Sequence, residues 1–255
     1  MVLSSFMPAA YFWGLWGLAR SLLIYYGKPG RDRRDSRFYA QFIGRGALVF
    51  DVGAHVGNRV RVFLKLGAAC IAVEPQPLFA SLLQKIYGRH PSFSLVETAL
   101  GSEEGETELH ISRRTPTVST TADVWRDQVG RSPSFAGVTW EDSVSIPVTT
   151  LDRLIDRFGM PDLCKIDVEG SELAVLQGLS RPLPLLSLEY IPAASAEAAA
   201  SIARLEELGS YEYNWSQGES QQLREEAWLT PAAMTSRLQQ MEIDEPSGDI
   251  YARLN

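Results

Sequence analysis

The sequence predicts an α/β fold built on a mostly parallel sheet with helices on both faces. Three observations carry that expectation. From Phe38 onward, short apolar runs bounded by Gly and Pro alternate with stretches of helical periodicity. The runs Ala47-Leu-Val-Phe50 and Ala69-Cys-Ile-Ala-Val73 are continuously apolar, as parallel strands covered on both faces are. Between them, residues 58–66 place Val60, Phe63, Leu64 and Leu66 at helical spacing and end at Gly67.

The turn inside this unit reads Asp51-x-Gly53-x-His55-x-Gly57. Small residues there let a ligand approach the backbone, and the helix that follows offers its N-terminus to an anionic group. A dinucleotide fingerprint requires Gly-x-Gly-x-x-Gly, but positions 53, 55 and 58 are Gly, His and Asn. A phosphate loop ending in Gly-Lys-Ser/Thr is also absent. What remains is Asp51 closing the first strand and Glu74 closing the second, where an acid commonly accepts hydrogen bonds from ribose hydroxyls. A sulfonium nucleoside fits this arrangement.

These residues resemble motif I of class I S-adenosylmethionine-dependent methyltransferases, specifically those of the FkbM family. Three further blocks carry the resemblance: Glu97-Thr-Ala-Leu-Gly101, Thr150-Leu-Asp152, and Leu163-Cys-Lys-Ile-Asp-Val-Glu-Gly-Ser-Glu172 with Leu176 and Gly178 after it. Together they span 45–190, and the last is the most specific. His55 stands where the family usually has Asn. The resemblance implies a Rossmann-like class I methyltransferase fold, with a mostly parallel seven-stranded sheet, helices on both faces and an antiparallel last strand. It also implies S-adenosylmethionine as cofactor, held by Asp51, Gly53, His55, Gly57, Glu74, Ala99 and Leu100.

Composition sets outer limits. A chain of 255 residues that is 45 % hydrophobic suffices for one domain with a sizeable core, here expected over 45–255 after a helical, aromatic-rich segment at 1–44. A net charge of −7 without a dominant basic footprint argues against nucleic acid as a partner. Cys70 and Cys164 each fall in an apolar strand, so they read as small buried hydrophobes in a reducing, cytoplasmic setting.

The N-terminal segment joins a run of large apolar side chains from Phe6 to Tyr26 with Lys28, Arg31, Arg33, Arg34 and Arg37. No Lys or Arg precedes that run, against a signal peptide, and Pro8, Gly14, Gly17 and Arg20 disfavour a membrane span. The expectation is a helix packed on the domain, with peripheral membrane contact through residues 6–37 as the alternative.

Past Glu74 the elements follow in order. Pro75 and Pro77 open a helix with Leu78, Leu82, Leu83, Ile86 and Tyr87 as its stripe, and Phe93 begins a third strand. The alternating run at 107–112 suggests a hairpin across the adenine position. Residues 113–145 break the pattern and read as a lid or insertion, with Trp125 and Trp140 closing over an acceptor in preference to filling the domain core, and 143–148 returns as a strand. Later come strands at 163–168 and 184–188, an Ala-rich helix to Leu208, a short strand from Tyr211 and a Thr230-capped helix. A last strand at 249–254 is expected at the sheet edge.

The chemistry is expected at 162–178. If the fourth strand continues to Val168, then Lys165, Asp167 and Glu169 project to one side near its C-terminal end, where charges are costly unless they serve a ligand or pair. The structural alternative is a Lys165–Glu169 pair with Asp167 capping the next helix. Glu189 and Tyr190 end the neighbouring strand. Asp167 and Glu189 are the candidate bases for a hydroxyl acceptor, and Lys165 can orient a carboxylate or lower the acceptor pKa. Asp167, Glu169, Glu172 and Glu189 also offer hard oxygens to Mg²⁺, although no spacing demands a metal as a His-rich motif does. The expected reaction is O-methylation of a small molecule or carbohydrate, as in natural-product or glycan biosynthesis. N-methylation, or a cofactor-binding accessory domain without turnover, are the competing readings.

Overall fold

The computed structural model describes residues 9–28, 30–122, 125, 126, 129 and 137–255. Phe6, Pro8, Val124 and Phe135 lie outside them, as do the side chains of Tyr11, Phe12, Trp13 and Leu15. At the centre is a seven-stranded sheet. In spatial order it contains β3 (Phe93–Val96), β2 (Ala69–Val73), β1 (Leu48–Val52), β7 (Leu163–Ile166), β8 (Leu185–Tyr190), β10 (Gly248–Leu254) and β9 (Tyr211–Gln217). The first five are parallel, and β10 runs antiparallel to both β8 and β9. This is the Rossmann-like arrangement that the sequence predicts.

Both faces are covered because neighbouring strand residues face different cores. Val49 of β1 packs among Phe38 and Tyr39 of α2 (Arg31–Tyr39), Val60 and Phe63 of α3 (Asn58–Lys65) and Leu83 of α4 (Pro77–Tyr87). Phe50, next along the strand, belongs to the opposite core. That core takes Leu151 and Ile155 from α5 (Leu151–Phe158), Leu176 from α6 (Glu172–Gln177), Ile202 and Leu205 from α7 (Ser195–Leu208), and Leu238 from α8 (Pro231–Gln239). Side-chain caps mark two of these helix starts: Thr150 Oγ1 accepts from Arg153 N–H and Thr230 Oγ1 from Ala233 N–H, each at 3.3 Å.

Two expectations are corrected here. The last strand is interior, not at the edge. Ile250, Tyr251 and Ala252 are wholly buried because β10 sits between β8 and β9, and β9 is the edge strand. The 218–247 connection, which includes α8, is long enough to carry the chain back between them. The run at 107–112 does not form a hairpin with 99–101 across the acidic turn, because another strand lies between them. β5 (Gly105–Ile111) pairs antiparallel with β6 (Asp142–Thr149), and β4 (Ala99–Leu100) completes a separate three-stranded sheet.

At the N-terminus, α1 (Ala9–Tyr26) lies along this second unit. A Cβ on Gly17 would stand 2.6 Å from the Arg113 carbonyl oxygen. Tyr26 Oη donates to Val56 O at 2.9 Å, so the end of α1 is held against the turn after β1.

Gly57 illustrates a local constraint that the fold imposes. It precedes α3 at φ 77°, and a Cβ there would stand 2.6 Å from Leu83 Cδ2 and 2.8 Å from Tyr87 Cε2. Gly57→Ala combines left-handed strain with overpacking, and should cost about 2–4 kcal/mol of stability in urea unfolding. An unchanged midpoint would contradict this account of the α3–α4 contact.

Candidate functional site

The C-terminal ends of β1, β2 and β7 open into a solvent-connected cleft. Apolar walls come from Val73, Phe79, Leu100 and Leu109, and polar groups from Glu74, Thr98 and Asp167. A second cavity adjoins it through Gly53, His55, Thr117, Asp167 and Glu169, and adds Tyr25, Asp51, Asn58, Arg59 and Glu219.

The loop after β1 is shaped by its neighbours. Gly53 sits at φ 81°, and a Cβ there would fall 1.8 Å from the Asp167 carbonyl oxygen. Its small size therefore serves the approach of the β7 loop, a different reason from the ligand access inferred from sequence. Gly57 lines neither cavity; it faces α4. His55 is also left-handed, at φ 48°, and its ring packs edge-on against Phe79 and Tyr25. Burial lowers the His55 pKa to about 4, which keeps the imidazole neutral, and its Nε2 is buried without a partner.

Glu74 clamps this loop. Its Oε2 accepts from His55 N–H at 2.7 Å and its Oε1 from Gln76 N–H at 2.8 Å. Each oxygen keeps lone-pair capacity toward the cleft. Burial pushes the Glu74 pKa up to about 7, against the pull of those two N–H groups. Glu172 does the same for the β7 loop: Oε1 accepts from Val168 N–H at 2.9 Å and Oε2 from Gly170 N–H at 3.0 Å. Burial lifts its pKa to about 7 as well.

The β7 loop departs from the sequence expectation. Strand β7 stops at Ile166, and Glu169 is left-handed at φ 54°, so strand alternation does not reach it. The contacts of Glu172 with the loop N–H groups hold this turn, so Glu172 is a clamp and not a member of the acidic cluster. Nor does Lys165 pair with Glu169. Its Nζ lies 2.7 Å from Asp167 Oδ2 and 3.4 Å from Asp249 Oδ1. Burial alone would lower the Lys165 pKa, but Asp167 and Asp249 hold it well above the usual range.

Carboxylates of Asp167, Glu169 and Glu189 do converge. One oxygen from each lies within 4.8 Å of the others. Burial, and then the neighbouring carboxylates, raise the pKa values of Glu169 and Glu189 well above the usual carboxylate range. Asp51, opposite Lys165 in the sheet, is pushed up to about 6 by burial and has one oxygen buried without a partner.

Several residues around the cavities are not among the sequence-predicted site residues. Thr98, whose buried Oγ1 has no hydrogen-bond partner, lies inside the Glu97–Gly101 block and was within reach. Tyr25, Arg59 and Glu219 come from three distant segments. Arg59 donates to Asp35 Oδ2 at 2.8 Å and Glu219 Oε2 at 2.6 Å, tying α2, α3 and the chain after β9 together. Trp125 is packed with Val118, Val129 and Ile191 and against Gly170, and lines a small cavity together with Glu189. Trp140 Nε1 donates to Val118 O at 2.8 Å.

The donor set suits an adenosyl compound: apolar walls for a base, the Glu74 carboxylate for ribose hydroxyls, and orphaned oxygens on Asp51 and Thr98 for polar groups. A model of the methyltransferase FkbM domain matches residues 51–209, more than half of the chain. No curated protein matches it. Among solved structures, the chain is similar to a precorrin-6Y C5,15-methyltransferase from Geobacter metallireducens, at 12 % identity and TM-score 0.44 over 87 % of each chain. It is similar to a TehB-like SAM-dependent methyltransferase from Corynebacterium glutamicum, at 11 % identity and TM-score 0.42 over 86 % of this chain and 87 % of that one. A putative methyltransferase from Streptococcus mutans in complex with SAH shows 11 % identity and TM-score 0.43 over 86 % and 95 %.

The buried clamps predict a pH dependence. Glu74 titrates near 7 when folded and near 4.5 when unfolded, so the native state binds more protons between those values. Stability should fall as pH rises through that window and level off above it. Glu74→Gln should flatten the slope by on the order of 3 kcal/mol across the window, with Glu172 supplying part of what remains. Unfolding free energies at a series of pH values check this; parallel profiles for parent and variant would contradict it.

Proposed function

The chain belongs to the methyltransferase FkbM family, and from that premise we propose that this S-adenosylmethionine-dependent methyltransferase modifies a hydroxyl oxygen of a small molecule or sugar. The observation that carries this reading is the convergence of Asp167, Glu169 and Glu189 next to the cleft. Bound in the cleft, S-adenosylmethionine supplies an electrophilic methyl group on a positively charged sulfur. Glu74 would accept from its ribose hydroxyls, Phe79, Leu100 and Leu109 would flank its base, and Asp51 would meet its amino-acid end.

A neutral hydroxyl is a weak nucleophile, so its proton has to leave as the new bond forms. Asp167 and Glu189 stand ready to accept it, and Lys165 fixes the orientation of the Asp167 carboxylate from 2.7 Å. Burial and the neighbouring carboxylates favour the protonated form of Glu189, so it accepts the proton only from its ionised state. Holding the acceptor in line with the methyl group lowers a barrier by about 7–11 kcal/mol in favourable intramolecular cases. Asp167, Glu169 and Glu189 would also hold a divalent cation such as Mg²⁺, whose charge offsets their mutual repulsion.

Calorimetric titration with S-adenosylhomocysteine, paired with turnover on hydroxyl and amine acceptors, tests the proposal. Parent protein should bind saturably, with affinity rising as pH passes about 7 and Glu74 ionises. Glu74→Ala should weaken binding by about tenfold to a hundredfold, the loss of hydrogen bonds to a charged group. Asp167→Asn and Glu189→Gln should leave binding intact and lower turnover on a hydroxyl by about 10²–10⁴-fold. Turnover on an amine that neither substitution affects would replace O-methylation with N-methylation. Chelation with EDTA separates the cation from the base: activity that is lost and then restored by Mg²⁺ assigns the trio to the ion.

A further inference from the structure

The inner side of α1 faces the site and the outer side does not. Tyr25 meets His55 and Tyr26 holds Val56, whereas Leu23 is 72 % exposed, Ile24 40 % and Trp16 49 %. Positions 16, 20, 23 and 24 fall on one helical face, so the exposed apolar side chains and Arg20 share one stripe. Beyond the helix, Lys28, Arg33, Arg34 and Arg37 are also exposed. Over 16–37 there are six basic residues against two acidic ones, on a chain whose net charge is −7. Asp32 pairs with Arg61 and Asp35 with Arg59 and Arg34, while Arg31 is buried against Glu219, so the exposed basic face rests on Arg20, Lys28, Arg33 and Arg37.

From this juxtaposition we propose that the outer face of α1, with the basic side chains that follow it, seats the protein on an anionic lipid surface. Charge complementarity selects the occupant. Another acidic protein surface would need a matching apolar groove, whereas a bilayer supplies anionic headgroups above an apolar layer in one partner. Leu23, Ile24 and Trp16 enter the headgroup boundary, and the basic groups stay at the level of the phosphates. No described helix is long and apolar enough to cross a membrane, so the contact is peripheral. The turn holding His55 and Val56 then lies one helix diameter from the lipid, which places the site within reach of an acceptor carried there.

The test is co-sedimentation of the full chain with vesicles of phosphatidylcholine alone or mixed with phosphatidylserine. Binding is expected only to the mixed vesicles. It should fall as salt rises, because the Debye length shrinks from about 10 Å at 0.1 M to about 3 Å at 1 M. The double variant Leu23→Glu/Ile24→Glu should abolish binding. Arg33→Ala/Arg37→Ala should weaken it by about fivefold for each charge removed. All four side chains are exposed, so unfolding midpoints matching the parent confirm that the variants fold. Absence of binding to mixed vesicles, equal binding to neutral ones, or indifference to both variants would overturn the proposal. A dimer in sedimentation that Leu23→Glu/Ile24→Glu disrupts, without vesicle binding, would assign the face to a second copy of the chain instead.

Discussion

The site depends on how closely two loops approach each other. At Gly53 the backbone after β1 presses against the Asp167 carbonyl so tightly that a Cβ would overlap it at 1.8 Å. That approach brings the turn carrying His55 and the turn carrying Asp167 and Glu169 onto one rim, which is why the two cavities share their walls. Two buried glutamates then hold the loops in shape, Glu74 through the N–H groups of His55 and Gln76, and Glu172 through those of Val168 and Gly170. Left-handed backbone at His55 and Glu169 persists because these bonds over-determine it.

Beneath the rim, charge is layered through the protein. Asp51, Lys165 and Asp249 come from three strands, and Arg59 and Asp35 continue the layer toward α2, with the exposed Glu219 ending it at the surface. Groups buried this deeply contribute little net stability relative to apolar side chains of the same size, but removing one partner leaves the other stranded. The layer therefore fixes arrangement more than it adds stability. It also explains how Lys165 can be charged and almost wholly buried beside a cleft: two aspartates offset its desolvation.

Much of the fold was legible because it rests on local rules. Continuous apolar runs marked β1 and β2, helical spacing and Gly67 marked α3, and Thr230 marked a helix start. The end of β7 was not legible, because what stops the strand at Ile166 is a carboxylate six residues later bonding back to the loop. The interior place of β10 depends on which strand leaves an open edge, a question of topology that no local pattern answers. At the site, acids placed at strand ends could be named from sequence. Tyr25, Arg59 and Glu219 could not, since each meets the cavity only through packing of segments far apart in the chain.

The interior position of β10 has a consequence for how the molecule assembles. Strand β9 joins the sheet through β10, and Asp249 of β10 completes the set of groups around Lys165. During synthesis, β9 and the α8 region emerge before the strand that links them to the rest, so the sheet stays in two pieces until residues 248–254 leave the ribosome. Pairing across that separation is a long-range contact of the kind that slows folding. A nascent chain therefore carries Lys165 with part of its counter-charge missing, and that counter-charge arrives in the same event that closes the sheet.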